Sequence, residues 1–235
     1  MRDPDTAPKT GAEAFARAER LDAALNERLA AYAALSRHVR PDIGEAYDRL
    51  VAHLTALQRG DLGPRLGEAM PDFLLPDAEG RLISRDSLLH DGPLIVSINR
   101  GHWCPYCRLE LRALAAIADE IKDRGAQLVS IMPETARYTK AAARDSGFPF
   151  TILTDVDLGY TLSLGLIYWV GAELQELYAK AKVELDRFQG NQSYFLPIAG
   201  KFILDQGGTI RARQIDVDFR RRMEPQAILA ALDSL

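Results

Sequence analysis

Apolar residues recur every three or four positions along the first quarter of the chain, which is the spacing of an amphipathic helix. Thr10 and Glu13 form the capping-box pair that predicts a long helix beginning near residue 11. Pro41 ends this helix or starts another, and a second apolar stripe follows it and ends before Gly60. We therefore expect a helical hairpin. The stripes comprise Phe15, Ala18, Leu21, Leu25, Leu29, Tyr32, Leu35 and Val39, then Ile43, Tyr47, Leu50, Leu54 and Leu57.

The pattern changes near residue 62, in a short segment that contains glycine and proline. Beyond it, short apolar runs typical of strands alternate with helical stripes, and a hairpin and a final helix close the chain. This order predicts an α/β domain over residues 62–235, with residues 1–61 as an N-terminal helical extension. The expected strands are 73–75, 81–83, 93–99, 126–132, 150–153, 201–204 and 209–215, and the expected helices are 105–124, 134–146, 174–188 and 225–235.

The two N-terminal stripes need a partner surface, because a large contiguous apolar face is rarely left in water. They either cover the α/β domain of the same chain or form a contact between two copies. Packing within one chain and a homodimer therefore both stay open.

Composition and charge exclude several classes of partner. The chain has 235 residues, of which 47% are hydrophobic and 26% charged, an ordinary globular composition. Its net charge of -4 disfavours binding to nucleic acid or to an anionic membrane through bulk charge. No run approaches the roughly 20 apolar residues of a membrane-spanning helix, and the polar N-terminus does not resemble a signal peptide. We expect a cytoplasmic protein that binds neither a membrane nor nucleic acid.

The two cysteines, Cys104 and Cys107, lie in one CPYC motif where a predicted strand meets a predicted helix. Cys104 would take the N-cap position and Pro105 the first helical position, where its missing N–H costs nothing. Free N–H groups and the positive end of the helix dipole favour the Cys104 thiolate, and they lower the pKa of such cysteines from about 8.5 to roughly 3.5–7.5. Cys107 faces the same side of the helix, so the pair should cycle between dithiol and disulfide. Cys104 should be the more exposed and the more reactive thiol.

Residues around the cysteines are candidates for supporting roles. Arg100 and Arg108 could stabilise the thiolate by their charge or could be solvated, and Trp103 is expected to act as an apolar lid. Tyr106 lies between the cysteines. A run of three arginines, 220–222, is expected to be a solvated face beside nearby aspartates.

Two other interpretations of the cysteine pair carry less weight. The cysteines could be small buried hydrophobic residues, although both fall at the reactive spacing and position. They could also bind zinc with His102 as a third ligand, but a structural zinc site takes four ligands and the sequence contains no second CxxC or HxxxH pair. We therefore expect neither a metal nor a cofactor.

Motifs on both sides of the cysteine pair add a resemblance. These are GEAMPDF at 67–73, RG at 100–101 before WCPYC at 103–107, LP at 196–197 before FILD at 202–205, and RMEP at 222–225. In them the chain resembles the peroxiredoxin-like branch of the alkyl hydroperoxide reductase and thiol-specific antioxidant family, over about residues 62–235. The resemblance implies a thioredoxin-like three-layer fold with a central mixed sheet flanked by helices. It also implies that Cys104 is the peroxidatic cysteine and Cys107 its resolving partner.

Three positions depart from the family pattern. Typical members carry Pro and Thr where this chain has Ser97 and Gly101, so the hydroxyl that polarises the peroxide is missing. Before the strand that contains Phe202, typical members place an Arg and thioredoxins a cis-proline. This chain has Ala199 there, with Pro197 two residues earlier as a substitute.

Three hypotheses follow for the activity. The first is a thiol peroxidase in which Cys104 reduces a hydroperoxide, Cys107 closes the disulfide, and an external thiol such as a thioredoxin-like protein restores the dithiol. The second is thiol–disulfide exchange on a protein disulfide. The third is a non-catalytic, redox-sensing interaction protein, in which the state of the CxxC pair alters contacts of the N-terminal hairpin.

Overall fold

The computed structural model describes residues 7–57 and 63–235. The predicted boundary between residues 61 and 62 lies outside the described residues. The second stripe was predicted to end before Gly60, and its helix ends at Ala56. No helix in the described ranges is long and apolar enough to cross a membrane.

The N-terminal region forms three helices: α1 (Gly11–Glu19), α2 (Leu25–Val39) and α3 (Pro41–Ala56). The hydroxyl of Thr10 caps α1, as expected, by accepting the N–H of Glu13 at 3.1 Å. The prediction of one long helix up to Val39 was wrong. The carboxylate of Glu224, distant in sequence, accepts the backbone N–H groups of Leu25 and Asn26 at 3.0 and 2.8 Å, so a new helix starts there.

A five-stranded mixed sheet forms the centre of the α/β region. Its strands are β3 (Leu94–Ile98), β4 (Gln127–Met132), β5 (Thr151–Thr154), β8 (Gly200–Leu204) and β9 (Ile210–Ile215), in the order β5-β4-β3-β8-β9. The pairs β3–β4 and β4–β5 are parallel, whereas β8 runs antiparallel to both β3 and β9. The motif-bearing strand β3 is therefore central.

Two short antiparallel pairs accompany the sheet. The predicted first hairpin is β1 (Leu74–Pro76) with β2 (Leu82–Ser84), and β6 (Ile167–Trp169) pairs with β7 (Phe195–Pro197). The sequence pattern did not predict β6 and β7, which are only three residues long.

Helices cover both faces of the sheet. They are α4 (Arg85–Leu89), α5 (Pro105–Ala116), α6 (Ala118–Asp123), α7 (Ala136–Ser146), α8 (Gly159–Ser163), α9 (Ala172–Lys180), α10 (Leu185–Gln189) and α11 (Pro225–Asp233). Two predicted helices are each divided, one into α5 and α6 and the other into α9 and α10. The α4 and α8 segments were not predicted.

Alternation along β3 distributes its side chains between two cores. Leu94, Val96 and Ile98 pack in one core. Ile95 packs in the other, with residues of α5, α6 and α11. This arrangement is the predicted three-layer α/β fold with a central mixed sheet.

The N-terminal helices share a core with α5. Leu25, Leu29 and Tyr32 are buried in one cluster with Tyr106 and Cys107. The rings of Tyr32 and Tyr106 meet edge to face at 5.0 Å between centroids. Much of the two apolar stripes therefore covers the helix that carries the cysteine pair. The assignment of Leu21 and Leu57 to the stripes was wrong, because both side chains are exposed.

Candidate active site

Cys104 lies at the junction between β3 and α5. It is the N-cap residue of α5, with extended backbone angles, and Pro105 occupies the first helical turn. The backbone N–H of Arg108 donates to the carbonyl of Cys104 at 3.0 Å, which closes that turn. The sulfur of Cys104 is thus held at the positive end of the α5 dipole, as the sequence predicted.

Both cysteines are free thiols, and they lie 3.7 Å apart. The exposed fractions are 1% for Cys104 and 0% for Cys107. Cys104 is the more exposed of the two by this narrow margin, but neither thiol is accessible, because α1, α2 and the aromatic residues around them cover this end of α5. A small molecule could reach the sulfur, whereas a larger reactant would require this covering layer to move.

Arg100 is the cation beside Cys104. Its side chain is fully buried, Nη1 lies 3.5 Å from the Cys104 sulfur, and Nη2 donates to the hydroxyl of Tyr178 at 2.9 Å. The guanidinium also lies over the ring of Phe219, 3.8 Å from its centroid. Of the two environments that the sequence left open for Arg100, the structure shows the one beside the sulfur. Arg108 instead lies over the ring of Phe15.

The two cysteines differ in their pKa. Burial raises the pKa of Cys104, but the hydrogen bond from Cys107 and the charge of Arg100 outweigh it and lower the value to about 5. Burial raises the pKa of Cys107 well above its ordinary value, and donation of its S–H to Cys104 raises it further. Near neutral pH the pair is a thiolate at 104 and a thiol at 107.

A buried ionic cluster lies on the far side of Cys107. Nη2 of Arg222 is 3.7 Å from the Cys107 sulfur, and its Nε donates to Glu110 at 2.9 Å. The other carboxylate oxygen of Glu110 is 3.1 Å from Nζ of Lys201. The prediction that residues 220–222 form a solvated face was wrong for Arg222, which is 5% exposed because it is needed as the partner of buried Glu110.

Polar residues continue this cluster across the sheet. Ser97 on β3 is in register with Lys201 on β8 and with Ser130 on β4. The Ser97 hydroxyl lies 2.6 Å from Nζ of Lys201, and Asn99 donates to both serine hydroxyls. Ser97 therefore partners a buried lysine at the position where the resembled family carries proline.

Gly101 has a backbone conformation, with φ of 133°, that favours glycine. A Cβ at this position would lie 2.4 Å from the indole nitrogen of Trp103 and 2.9 Å from Oε1 of Glu134. The tight turn with Trp103 therefore leaves no room for threonine at 101.

Glu134 lies beneath the same turn and is fully buried. Its Oε1 accepts the backbone N–H of His102 at 3.1 Å. Burial raises the pKa of Glu134 to about 7, although the N–H donors of His102 and Trp103 oppose the change. No motif in the sequence distinguishes this carboxyl group, which follows β4 and reaches the site through the fold.

Trp103 and four tyrosines form an aromatic wall around the cysteine. The Trp103 ring meets Tyr178 edge to face at 5.7 Å, and Arg100 lies 5.3 Å from the Trp103 centroid. This position agrees with the predicted apolar lid. Desolvation raises the pKa of each tyrosine, so all four stay neutral; they are Tyr32, Tyr47, Tyr106 and Tyr178.

A cavity of about 600 Å³ opens beside this wall. Its lining includes Trp103, Pro105 and Tyr106 from the motif, with Ala33 and Ile43 from the N-terminal helices. The cavity reaches the residues on either side of Cys104, and most of its surface is apolar.

The remaining predicted positions lie close to the site without contributing a charge. Ala199 is buried immediately before β8. The peptide bond before Pro197 is trans, so Pro197 does not supply a cis-proline. Across residues 7–57 and 63–235, the histidine, cysteine and acidic side chains form no group of three that could hold a metal ion.

A family model described as the AhpC/TSA family matches residues 66–213. The curated protein "Peroxiredoxin Q, chloroplastic" of Sedum lineare is 32% identical over 89 residues, which cover 38% of this chain and 47% of that protein. The chain thus matches about half the length of this relative.

Solved structures share the fold at low sequence identity. Peroxidoxin BcpB from Mycobacterium tuberculosis superposes with a TM-score of 0.57 at 19% identity, over 73% of this chain and 97% of that one. Reduced Prx3 from Vibrio vulnificus gives 0.57 at 17% identity, over 72% and 99%. Helices α1–α3 precede the residues matched by the family model.

Proposed function

This chain belongs to the AhpC/TSA family, and we propose that it is an oxidoreductase that reduces hydroperoxides, with Cys104 as the attacking thiolate and Cys107 as the resolving thiol. One observation carries the proposal. The Cys104 sulfur lies between a buried guanidinium, at 3.5 Å from Arg100, and a second thiol, at 3.7 Å. The first neighbour favours the thiolate, and the second can close a disulfide after one oxidation.

In the first step the Cys104 thiolate attacks the terminal oxygen of a hydroperoxide, ROOH. A sulfur–oxygen bond forms, the oxygen–oxygen bond breaks, and the products are the sulfenic acid and, after uptake of one proton, the alcohol ROH. Arg100 can hold the thiolate and the departing oxygen in its field, because the buried guanidinium stays charged. This contact supports the reaction where the family's usual threonine and arginine are absent.

In the second step Cys107 attacks the sulfur of the Cys104 sulfenic acid. The sulfur–sulfur bond forms, the sulfur–oxygen bond breaks, and the hydroxide combines with the proton of Cys107 to leave as water. The short separation supports this step, since only a small change in the first turn of α5 is needed to reach disulfide geometry. The sulfenic acid should therefore be short-lived.

In the third step an external dithiol reduces the disulfide and is itself oxidised to a disulfide. Both sulfur atoms are buried, so a small dithiol reaches them with less movement than a protein does. A thioredoxin-like reductant would require the covering layer of α1 and α2 to move from the start of α5. Comparing the two reductants tests how far this layer opens.

The cavity of about 600 Å³ supports a hydroperoxide as the substrate. A pocket of this size accepts a small organic molecule, and its apolar lining favours one with an alkyl or aryl group. The cavity is lined by the neighbours Trp103 and Pro105, and Cys104 itself is 1% exposed, which leaves no room for a protein disulfide at the sulfur. Burial of Cys104 thus favours peroxide reduction over exchange with protein disulfides. Catalytic turnover would argue against a redox-sensing role, because a sensor is oxidised without repeated reduction of substrate.

Stopped-flow measurements rank these activities. The reduced protein is mixed separately with hydrogen peroxide, cumene hydroperoxide and a small disulfide, and the loss of the two thiols is followed. We expect fast, stoichiometric loss with at least one peroxide, slower loss with the disulfide, and neither reaction in Cys104→Ser. Faster reaction with the disulfide would favour exchange, and a reaction without turnover in the presence of dithiol would favour a sensor.

A further inference from the structure

The buried ionic cluster beside Cys107 is composed of two cations and one carboxylate. Glu110 lies one turn beyond Cys107 on α5, Lys201 lies on β8, and Arg222 precedes α11. Each is at most 5% exposed. Because Glu110 bonds to both cations, with distances of 2.9 Å to Arg222 and 3.1 Å to Lys201, the cluster has one positive charge in excess.

Burying a charge without a partner of opposite sign costs free energy, because the charge loses its hydration. The side of Arg222 that does not bond to Glu110 faces the Cys107 sulfur, with Nη2 at 3.7 Å. The backbone carbonyl of Arg221 accepts Nη1 at 3.2 Å, which fixes the remaining direction of the guanidinium. The excess charge is therefore directed toward a sulfur atom that is neutral in the reduced protein.

We propose that Arg222 assists the resolving step by stabilising negative charge on the sulfur of Cys107. Glu110 and Lys201 act as positioning residues, which hold the guanidinium against that sulfur. This inference rests on the proposed function and concerns its second step only.

The role follows from the charge balance of that step. As Cys107 attacks the sulfenic acid, its S–H proton leaves for the departing hydroxide, and the sulfur carries negative charge until the disulfide bond is complete. A guanidinium at 3.7 Å lowers the energy of this charge in a site that water does not reach. Arg100 has the matching role at Cys104, so each sulfur has its own buried arginine.

The pH dependence of the step involves every charged group that faces these atoms. Cys107 faces Cys104, Arg222 and Glu110, and it also interacts with the charge of Lys201. Arg222 faces the two cysteines and Glu110, with Lys201 on the opposite side of the carboxylate. Once Cys104 is oxidised its negative charge disappears, so the field of Arg222 on Cys107 is no longer opposed by the thiolate. The cation thus acts most strongly at the moment when Cys107 must ionise.

The test separates the two oxidation steps by rapid quenching. Reduced protein is mixed with one equivalent of hydroperoxide and quenched with dimedone or with an alkylating reagent, and mass spectrometry counts the sulfenic acid and the disulfide over time. The variants are Arg222→Met and Arg222→Lys. Arg124→Met is the matched control, because Arg124 pairs with Asp233 at 2.7 Å away from the cysteines.

We expect Arg222→Met to slow disulfide formation by about tenfold or more, so that the sulfenic acid accumulates, while its formation slows much less. The pH at which resolution reaches half its maximal rate should rise. Arg222→Lys should recover part of the rate, since it keeps the charge without the planar guanidinium, and Arg124→Met should resemble the wild type. A purely structural role would slow both steps together and would not move the pH profile.

Resolution at the wild-type rate in both Arg222 variants would overturn the inference and leave the proposed function intact. An equal slowing of both steps, with an unchanged pH profile, would also overturn it. If Arg222→Met does not fold, the neutral variant Arg222→Gln replaces it in the same comparison. A wild-type protein that forms neither sulfenic acid nor disulfide with any hydroperoxide would overturn the proposed function and this inference together.

Discussion

Arg100 Nη1 lies 3.5 Å from the sulfur of Cys104, and the exposed fractions of the two side chains are 0% and 1%. The two residues are four positions apart. Arg100 follows the end of β3, and Cys104 is at the start of α5. The turn between them, closed by a bond from the Cys104 N–H to the Gly101 carbonyl at 3.1 Å, folds the arginine back over the sulfur. Burial makes this charge pair stronger than the same pair would be in water.

Replacing Arg100 should raise the pKa of Cys104. The value of about 5 combines burial, which raises it, with the Cys107 hydrogen bond and the Arg100 charge, which lower it. We expect Arg100→Met to raise it by about 1 to 3, so that alkylation by iodoacetamide near pH 6 slows roughly tenfold, whereas Arg100→Lys changes it less. Alkylation rates of Cys104 measured against pH give the value directly. An unchanged midpoint in Arg100→Met would refute the assigned electrostatic role.

Two substitutions of Cys107 separate its hydrogen bond from its role in the disulfide. Cys107→Ser keeps a donor toward Cys104 and Cys107→Ala removes it, so the pKa of Cys104 should be higher in the alanine variant. Both variants should form the sulfenic acid with peroxide but no internal disulfide. Mass spectrometry should then detect a dimedone adduct on Cys104. The absence of an adduct in both would count against the peroxidase route.

Because of Glu134, the free energy of unfolding should fall as the pH rises. Burial raises its pKa to about 7 in the folded protein, from 4.5, so the protonated form is favoured by folding. Its contribution is complete below about pH 4.5 and is lost as the pH rises through 7, at a cost of about 2 kcal/mol between pH 5 and 8. Cys104 has the opposite effect, because its lowered pKa adds stability as the pH rises.

The measurement for Glu134 therefore uses urea unfolding in a Cys104→Ser background. The parent should lose stability from pH 5 to 8, and the addition of Glu134→Gln should remove most of that loss. The same slope in both proteins would show that another group titrates.

The N-terminal helices should stabilise the fold by packing within one chain and not through a contact between two copies. Leu29 is fully buried against the cluster that contains Tyr106 and Cys107, whereas Leu21 is 44% exposed. We expect Leu29→Ala to reduce the free energy of unfolding by about 2 to 5 kcal/mol and Leu21→Ala to change it by less than about 1 kcal/mol. Light scattering should give one oligomeric state for both variants and the wild type. If Leu29→Ala only dissociates a dimer, the stripes are a contact between copies.

The parts of the site that are local in sequence could be predicted. The junction between β3 and α5, the N-cap position of Cys104 and the proximity of Cys107 follow from apolar spacing, Pro105 and the three-residue separation. The alternation of strands and helices likewise predicted the layers, because each segment carries its own periodicity.

The contacts between distant segments could not be predicted. Arg222 meets Glu110 across 112 positions, and Lys201 meets Ser97 across 104. Nothing in the local pattern distinguishes Arg222 from its neighbours, since a run of arginines is usually solvated. The N-terminus of α2 depends in the same way on Glu224, which lies 199 positions from Leu25. Burial of Cys104 was missed because the layer that covers it comes from α1 and α2.

The most direct test of the central claim is the stoichiometry of a single oxidation. The reduced protein is titrated with cumene hydroperoxide, the alcohol is quantified, and digestion with mass spectrometry locates the oxidised residues. The account predicts one alcohol released per chain and one disulfide between Cys104 and Cys107, with neither in Cys104→Ser. Release of the alcohol by Cys104→Ser, or an oxidised protein in which Cys107 is still a free thiol, would contradict it.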